Sequence, residues 1–420
     1  MKKELKQSKF YYSLVKTIAG FLARFKFKRK FINNDIKGKK GPFVIICNHA
    51  AALDFVTLMG AIKRRINFVI SNAFFNTLPF KGIVKRMGFI PKQQFQTNVS
   101  NIVKMKKVLD NGGILAFYPA GLMSDDGVST PIPETTYKFL QWLKADVYVA
   151  KNIGTYFSMP KWRKGGIRSG RTYTDITKLF SKEELKDLAV EEVKEKTEKA
   201  LYFNAYESQE ELKIKYKNNA NIEGLENVLY MCPNCKKEFT VKVKDGSTIY
   251  CAECGFTEIA DDYQLLTKLS DVGEEIRYPS TWNKIITDTL KTKILSGEDT
   301  LSSTVEIQMI IKNKFQKVGD GTLTLNKEKF TLTGEINGES INKEFLIESF
   351  ACLPYKPGVY LEVQSGDDIY RCLPTDGRLS VKFVDMVKIF YELKNKQKIT
   401  TKNPTKKSGF NFTFLLNNFR

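Results

Sequence analysis

The residues of this sequence best suited to acid–base chemistry are His49 and Asp54. His49 is the single histidine among 420 residues, so any imidazole chemistry has to be done there. It follows the continuous apolar run Phe43–Cys47, which predicts a buried strand, and it precedes an apolar stretch that predicts a helix. A polar pair at such a junction is a usual place for chemistry in α/β proteins. If residues 50–53 form a tight turn, the Asp54 carboxylate reaches one ring nitrogen and leaves the other for a substrate.

This pair indicates a general base. An imidazole, with an ordinary pKa of about 6.5, is well matched to taking a proton near neutral pH. A carboxylate on its far nitrogen fixes the tautomer and stabilises the imidazolium that forms. The sequence has no Gly-x-Ser-x-Gly elbow, so the base would activate a hydroxyl of the substrate itself. The alternative is that His49 is a satisfied core histidine and Asp54 an ordinary helix N-cap.

Four ordered blocks resemble the motifs of one known family. Asn48-His49-x4-Asp54 is followed by Gly88-Phe89-Ile90-Pro91-Lys92, by Phe117-Tyr118-Pro119-Ala120-Gly121-Leu122 and by Val147-Tyr148-Val149-Ala150. Together they resemble the glycerolipid acyltransferases, the 1-acylglycerol-3-phosphate acyltransferase family, over roughly residues 40–205. The third block departs from the family pattern, because Ala120 stands where the family has Glu and Leu122 where it has Thr.

The resemblance implies a role for each matching residue. His49 would deprotonate the acceptor hydroxyl, with Asp54 holding its ring. Lys92, and with it Arg86, would hold the acceptor's phosphate, and backbone amides near Gly121 would position the reacting groups. The substrate-binding residues that it implies are Asn48, Arg86, Gly88, Lys92, Pro119 and Gly121. No catalytic cofactor is implied, and acyl-CoA or acyl carrier protein would be the co-substrate.

The charge of the chain predicts an anionic partner. The net charge is +21, and residues 1–40 hold thirteen Lys or Arg and two acids. Apolar residues are threaded through this segment, and its least charged part, residues 11–25, is shorter than the ~20 residues that a membrane span needs. It also lacks the small-residue cleavage site of a signal peptide. We therefore expect an amphipathic helix lying on an anionic membrane surface, peripheral or monotopic, at the cytoplasmic face of the cell membrane. The alternative is a solvated basic arm that binds nucleic acid or nothing.

Four cysteines have the spacing of a structural zinc site. Cys232 and Cys235, then Cys251 and Cys254, form two CxxC knuckles separated by fifteen residues. Four thiolates fill the tetrahedral shell of Zn(II), so this pattern predicts a zinc ribbon with a structural ion. Ribbons bind nucleic acid, serve as folding staples or join domains, and the pattern does not choose among these roles.

The predicted fold class is an α/β acyltransferase domain with a mixed sheet flanked by helices, a small zinc ribbon with four cysteine ligands, and an antiparallel β-rich domain with a C-terminal helix. The β-rich part is similar in outline to PH or GRAM domains. The predicted boundaries are a basic membrane-surface segment at 1–40, the α/β domain at 41–222, the ribbon at 223–264, a helical connector at 265–300, the β-rich domain at 301–395, and a basic and aromatic tail at 396–420.

Three functions are compatible with these features. The favoured hypothesis is a membrane-associated acyltransferase that moves a fatty acyl group onto a lysophospholipid such as 1-acylglycerol-3-phosphate. The second is a lipid-binding protein that keeps the acyltransferase fold without the activity, which the replacement at Ala120 suggests. The third, a nucleic-acid-binding protein with a zinc ribbon, is the least favoured, because it explains neither the His49 motif nor the apolar N-terminal segment.

Overall fold

A computed structural model describes residues 7–78, 81–92, 99–218, 220–349, 351–366 and 368–400. The predicted tail at 396–420 lies outside the described residues from position 401 onward. Three parts follow one another along the chain, and we call them the α/β domain, the ribbon and the β-rich domain. The predicted fold class is confirmed in all three. The likeness to PH or GRAM domains stays a prediction.

The α/β domain is built on a seven-stranded mixed sheet with the order β1-β7-β6-β2-β5-β3-β4. Its strands are β1 (Lys30–Asn34), β2 (Phe43–Cys47), β3 (Ile66–Ser71), β4 (Ile90–Lys92), β5 (Ile114–Phe117), β6 (Asp146–Ile153) and β7 (Tyr173–Phe180). The central strands β2, β5, β3 and β4 run parallel, and β6 pairs with β7 in the antiparallel sense. The carboxyl ends of these four strands therefore meet at one edge of the sheet, which is where α/β proteins bind ligands.

Helices cover both faces of this sheet. They are α1 (Lys9–Phe25), α2 (Asp54–Met59), α3 (Asn72–Thr77), α4 (Lys81–Arg86), α5 (Val99–Asp110), α6 (Thr135–Leu143), α7 (Thr155–Ser158), α8 (Lys182–Asp187), α9 (Val190–Leu201) and α10 (Ala205–Leu212). All five residues of β2 are buried, with Phe43, Ile45 and Cys47 in one apolar cluster and Val44 and Ile46 in another. The apolar run is continuous because the strand packs against helices on both faces.

The N-terminal segment is part of this domain. Strand β1 pairs with β7 at the edge of the sheet, and Tyr12, Ala19 and Ala23 of α1 are buried in the apolar cluster that includes β2. The Tyr12 hydroxyl accepts the Ile66 amide proton at 2.8 Å. The sequence predicts a separate segment at 1–40, but the described part of this segment contributes α1 and β1 to the α/β domain. Among the described residues, no helix has the length and apolarity needed to cross a membrane.

The ribbon is a four-stranded antiparallel sheet with the order β11-β10-β9-β8. Its strands are β8 (Val241–Lys244), β9 (Thr248–Cys251), β10 (Thr257–Ala260) and β11 (Leu266–Lys268). The sheet thus extends past the predicted end at 264. Within the predicted helical connector at 265–300, the helix is α11 (Pro279–Leu295). The Nε1 atom of its Trp282 donates to the Met231 carbonyl at 2.8 Å.

The β-rich domain is a seven-stranded antiparallel sheet with the order β15-β14-β13-β12-β18-β17-β16, closed by α12 (Leu379–Thr400). Its strands are β12 (Leu301–Ile311), β13 (Lys314–Leu325), β14 (Lys329–Ile336), β15 (Glu339–Leu346), β16 (Tyr355–Lys356), β17 (Tyr360–Ser365) and β18 (Asp368–Pro374). One apolar core joins this domain, α11 and the ribbon, and it includes Leu122 and Trp162 of the α/β domain. The three parts are therefore packed together.

Candidate active site and cysteine cluster

The turn after β2 brings Asp54 back to His49. The Oδ2 atom of Asp54 lies 3.2 Å from His49 Nδ1, and it accepts the backbone N–H groups of Ala50 at 2.7 Å and Ala51 at 2.9 Å. Asp54 is fully buried and is the first residue of α2. An ordinary N-cap would accept amides of the following helix, whereas this carboxylate accepts amides of the preceding turn. Its position therefore serves the turn and the imidazole.

Asn48 fastens the end of β2 to β6. Its side-chain amide donates to the Asn152 carbonyl at 2.9 Å, and its side-chain oxygen accepts the Asn152 amide proton at 2.7 Å. The Asn152 side chain in turn accepts from the hydroxyls of Thr57 at 2.7 Å and Thr174 at 3.2 Å. Asn48 is buried, and this network holds the residue that precedes His49 in a fixed place.

The loop after β5 forms the other wall of the site. The rings of His49 and Tyr118 are stacked, with centroids 4.1 Å apart and planes inclined by 24°. Gly121 has φ 72° and donates its N–H to the Tyr118 carbonyl at 3.0 Å, which makes the turn. The Ser124 N–H donates to the His49 carbonyl at 2.9 Å. Tyr118 and Ser124 were not singled out in the sequence, although both lie in or beside the third block.

A cavity of about 170 Å³ opens beside His49. Pro119, Ala120 and Leu122 line it, together with Phe203 and other mostly apolar residues. Its one acidic lining residue, Glu198, accepts the Tyr137 hydroxyl at 2.8 Å. The part of the chain that the structure describes places no Lys or Arg in its wall. The replacement at Ala120 thus leaves a small apolar side chain beside the imidazole.

The three predicted phosphate-binding residues are separated: Lys92 lies at the carboxyl end of β4, whereas Arg86 and Gly88 precede this strand. Lys92 ends β4, which is separated from β2 by β5 and β3, and burial lowers the pKa of its ammonium group. Arg86 donates to the Tyr11 hydroxyl at 3.2 Å, with its guanidinium over the Tyr11 ring. The Gly88 carbonyl accepts the Asn67 side-chain amide at 2.7 Å. None of Lys92, Arg86 and Gly88 lines the cavity at His49.

The comparisons with known proteins concern the α/β domain. Residues 28–158, which include His49, Asp54 and the loop after β5, match the model of the Acyltransferase family. The matched segment runs from just before β1 to the end of α7. A structure similar to this chain is the crystal structure of the 1-acyl-sn-glycerophosphate (LPA) acyltransferase PlsC from Thermotoga maritima. It has 16% sequence identity and a TM-score of 0.39, over 49% of this chain and 80% of that chain. No curated protein matches the chain.

The α/β domain is followed by a cluster of four thiols. The Sγ atoms of Cys232, Cys235, Cys251 and Cys254 lie within 4.8 Å of one another. Cys232 is 3.6 Å from Cys254 and Cys235 is 3.8 Å from Cys251. A tetrahedral ion with metal–sulfur bonds of about 2.3 Å requires sulfurs about 3.8 Å apart. The four cysteines therefore fit one metal ion and leave it no open position.

Hydrogen bonding favours the thiolate at Cys254, whereas burial raises the pKa of the Cys232 and Cys235 thiols. Burial raises the pKa of the Cys254 thiol, but hydrogen bonds from the Phe256 amide and the Asn234 side chain outweigh it and bring this pKa down to about 6. The Thr240 hydroxyl lies 3.3 Å from Cys251 Sγ. Since a thiolate is the form that binds a metal, the hydrogen bonds at Cys254 prepare this member of the cluster for one.

Proposed function

We propose that this protein is a membrane-associated acyltransferase that moves a fatty acyl group from acyl-CoA or acyl carrier protein to the hydroxyl of a lysophospholipid such as 1-acylglycerol-3-phosphate. The observation that carries the proposal is the pairing of His49 Nδ1 with the buried Asp54 carboxylate beside an apolar cavity, within a domain of the acyltransferase family. Phospholipid biosynthesis is the process in which such a reaction serves.

The chemistry needs one base and no covalent enzyme intermediate. With Asp54 on Nδ1, His49 Nε2 takes the proton of the acceptor hydroxyl, and the oxygen attacks the thioester carbonyl. The C–S bond then breaks, and the imidazolium returns its proton to the leaving thiolate. Cys47 also lines the cavity, but burial, and after it the Asp54 charge, raises the pKa of its thiol. A buried neutral thiol is a poor nucleophile, which favours direct transfer.

The acceptor's phosphate requires a cation near the site. Lys92 remains the candidate for it, because β4 ends at the same edge of the sheet as β2. Arg86 is the weaker candidate, since it precedes β4 and lies against Tyr11 of α1. A lysine offers a point charge in place of a bidentate fork, so the acceptor headgroup would be held with less geometric selectivity.

Helix α1 supports a location on the membrane surface. Its outer face exposes five large apolar side chains at intervals of three or four residues, Phe10, Leu14, Ile18, Phe21 and Phe25. The exposed cations Lys9, Arg24 and Lys26 lie beside this stripe. An apolar stripe flanked by cations suits the headgroup region of an anionic bilayer. We propose that α1 lies on the cytoplasmic face of the cell membrane while its other face stays packed on the domain.

We also propose that the cysteine cluster holds Zn(II) in a structural role. Four thiol ligands are typical of structural zinc, and they leave no position for a substrate. The metal would stabilise the ribbon, whose hydrophobic residues belong to the same core as the β-rich domain. No step of the acyl transfer uses it.

Acyl transfer by the purified full-length protein in anionic vesicles tests the proposal. Lysophosphatidate would be the acceptor, and a panel of acyl-CoA and acyl carrier protein thioesters the donors. We expect turnover by the wild type and its loss in His49→Ala, with an unchanged thermal midpoint. Near-wild-type turnover in His49→Ala would refute the mechanism.

The lipid-binding hypothesis remains the second candidate, because Ala120 lines the cavity where the family has a carboxylate. Vesicle binding without transfer from any donor would favour it over catalysis. Transfer that depends on His49 would reduce the Ala120 replacement to a matter of acceptor choice.

A further inference from the structure

The loop after β5 connects the candidate active site to the β-rich domain. On one side it contacts the site, since Ser124 N–H donates to the His49 carbonyl at 2.9 Å and Leu122 lines the cavity. On the other side Leu122 belongs to the apolar core of the ribbon and the β-rich domain. Leu122 is one of the two residues at which the third block departs from its family. Its apolar side chain here belongs to a core most of whose residues come from the C-terminal half of the chain.

Asp125 extends this connection with a buried charge. Its Oδ1 lies 2.8 Å from Lys161 Nζ, and its Oδ2 accepts the Tyr355 hydroxyl proton and lies 3.9 Å from Lys388 Nζ. Lys161 lies in the α/β domain, whereas Tyr355 is in β16 and Lys388 in α12 of the β-rich domain. The Lys161 ammonium also lies over the Tyr355 ring, 3.4 Å from its centroid. One carboxylate thus joins the loop to two elements of another domain.

The next residue makes a second connection. Asp126 Oδ2 accepts the Asn283 side-chain amide of α11 at 3.0 Å, and its Oδ1 accepts the Val128 N–H at 3.1 Å. The Ser124 hydroxyl oxygen accepts the Gly127 N–H at 2.9 Å, which closes the loop on itself. The loop is therefore held at consecutive residues by His49, by the β-rich domain and by α11.

The charges at this junction depend on one another. Burial would raise the pKa of the Asp125 carboxyl, but Lys161 and Lys388 bring it below its ordinary value. Burial raises the pKa of Asp385 to about 6, and Lys388 lies 3.5 Å from that carboxylate. Removing one partner of such a buried group leaves a desolvated charge without compensation, so the loop and the docked β-rich domain stabilise each other.

From these contacts we propose that the β-rich domain sets the geometry of the active-site loop, with Tyr355 and Lys388 acting through Asp125 as positioning residues for the reaction at His49. The proposal rests on the proposed acyltransferase function for its kinetic consequence, but its structural consequence is independent of any substrate. The same domain also contacts α4 of the α/β domain. There, Lys81 donates a hydrogen bond to the side chain of Asn313, in the turn between β12 and β13. The C-terminal half of the chain then completes the site.

Tyr355→Phe tests this proposal, because it removes the hydroxyl that binds Asp125 and keeps the ring beneath Lys161. The matched control is Tyr370→Phe, since the Tyr370 hydroxyl also donates to a carboxylate of the β-rich domain, Asp368, at 3.4 Å. Hydrogen exchange of the full-length protein would follow the Ser124 and Gly127 amides. We expect these amides to exchange about tenfold faster in Tyr355→Phe and unchanged in the control.

The kinetic readout separates positioning from a merely structural role. Well below the melting temperature, we expect kcat to fall about fivefold or more in Tyr355→Phe, with a smaller change in the KM for the acyl donor. Loop exchange and kcat equal to those of Tyr370→Phe would overturn the proposal. If Tyr355→Phe does not fold, Lys388→Gln gives the same comparison. If the wild type transfers no acyl group, the proposed function fails, and hydrogen exchange alone decides this inference.

Discussion

The ring of His49 is stacked on the ring of Tyr118, with centroids 4.1 Å apart. Asp54 holds the imidazole at one atom, Nδ1, and the Tyr118 ring holds it by its face. The Tyr118 hydroxyl is buried, and among the described residues it has no hydrogen-bond partner. Burial raises the pKa of this phenol well above its ordinary range, so it stays neutral. The ring of Tyr118 therefore supports the imidazole, and its hydroxyl is dispensable for that contact.

Replacements at Tyr118 distinguish the ring from the hydroxyl. We expect Tyr118→Phe to keep kcat within about twofold and to stabilise the protein by about 1 kcal/mol, because it removes an unsatisfied buried hydroxyl. Tyr118→Leu keeps an apolar side chain but loses the flat contact, and we expect a fall in kcat of about tenfold or more. Steady-state kinetics and thermal midpoints measure both effects. An equal fall in kcat for Tyr118→Phe and Tyr118→Leu would show that the hydroxyl, and not the ring, is required.

The local part of the site could be predicted from the sequence. The apolar run of β2, the five-residue spacing of His49 and Asp54, and the turn between them are set by neighbouring residues. The cysteine cluster could also be predicted from the sequence, because the CxxC spacing alone brings the ligands together in pairs. Both features depend on residues that are close together in the sequence.

Contacts between distant segments were not predictable. The residues that flank Arg86 in the sequence do not indicate its contact with Tyr11. Those that flank Asp125 do not indicate its contacts with Tyr355 and Lys388. The same limit explains the boundaries. Strand β1 is a short polar strand that gains its place by pairing with β7, and β11 is a three-residue strand added to the ribbon sheet. The pairing of such short strands depends on tertiary contacts, which cannot be derived from a single sequence.

The cysteine cluster predicts a measurable metal content. We expect about one zinc per chain by elemental analysis, and its loss in Cys235→Ser, because three thiols bind the ion far less tightly than four. The variant should also melt at a lower temperature, since metal binding free energy contributes to folding. Cys352→Ala is the matched control, because Cys352 is a buried cysteine outside the cluster. Zinc bound equally by Cys235→Ser and the wild type would contradict this assignment.

Helix α1 predicts how the protein binds vesicles. Ile18 is 54% exposed on the outer face of the helix, so Ile18→Asp removes an apolar contact and adds a charge that the lipid anions repel. We expect about tenfold or greater weakening of binding to anionic vesicles in a sedimentation assay. Leu295→Asp is the control, because Leu295 is 67% exposed on α11, away from the stripe. If both variants bind as the wild type does, α1 is not the docking surface.

The ribbon predicts a dependence of stability on pH through Glu258. Its side chain is buried, its Oε1 accepts the Ile276 N–H at 2.6 Å, and its Oε2 has no partner among the described residues. Burial raises the pKa of this carboxyl from 4.5 to about 7. The folded protein thus holds the proton more tightly than the unfolded chain does. The stability contributed by the protonated form is full below the unfolded pKa and is lost as the pH rises through about 7.

Glu258→Gln keeps the acceptor for Ile276 and removes this titration. We expect the variant to be more stable than the wild type at pH 8, by about 1 to 2 kcal/mol, and the difference to shrink as the pH falls toward 5. Thermal midpoints of both proteins across this range measure it, with the exposed neighbour Glu274→Gln as control. Parallel curves for Glu258→Gln and the wild type would show that Glu258 is ionised in both states. Since the ribbon shares its core with the β-rich domain, the same shift should appear in the melting of both.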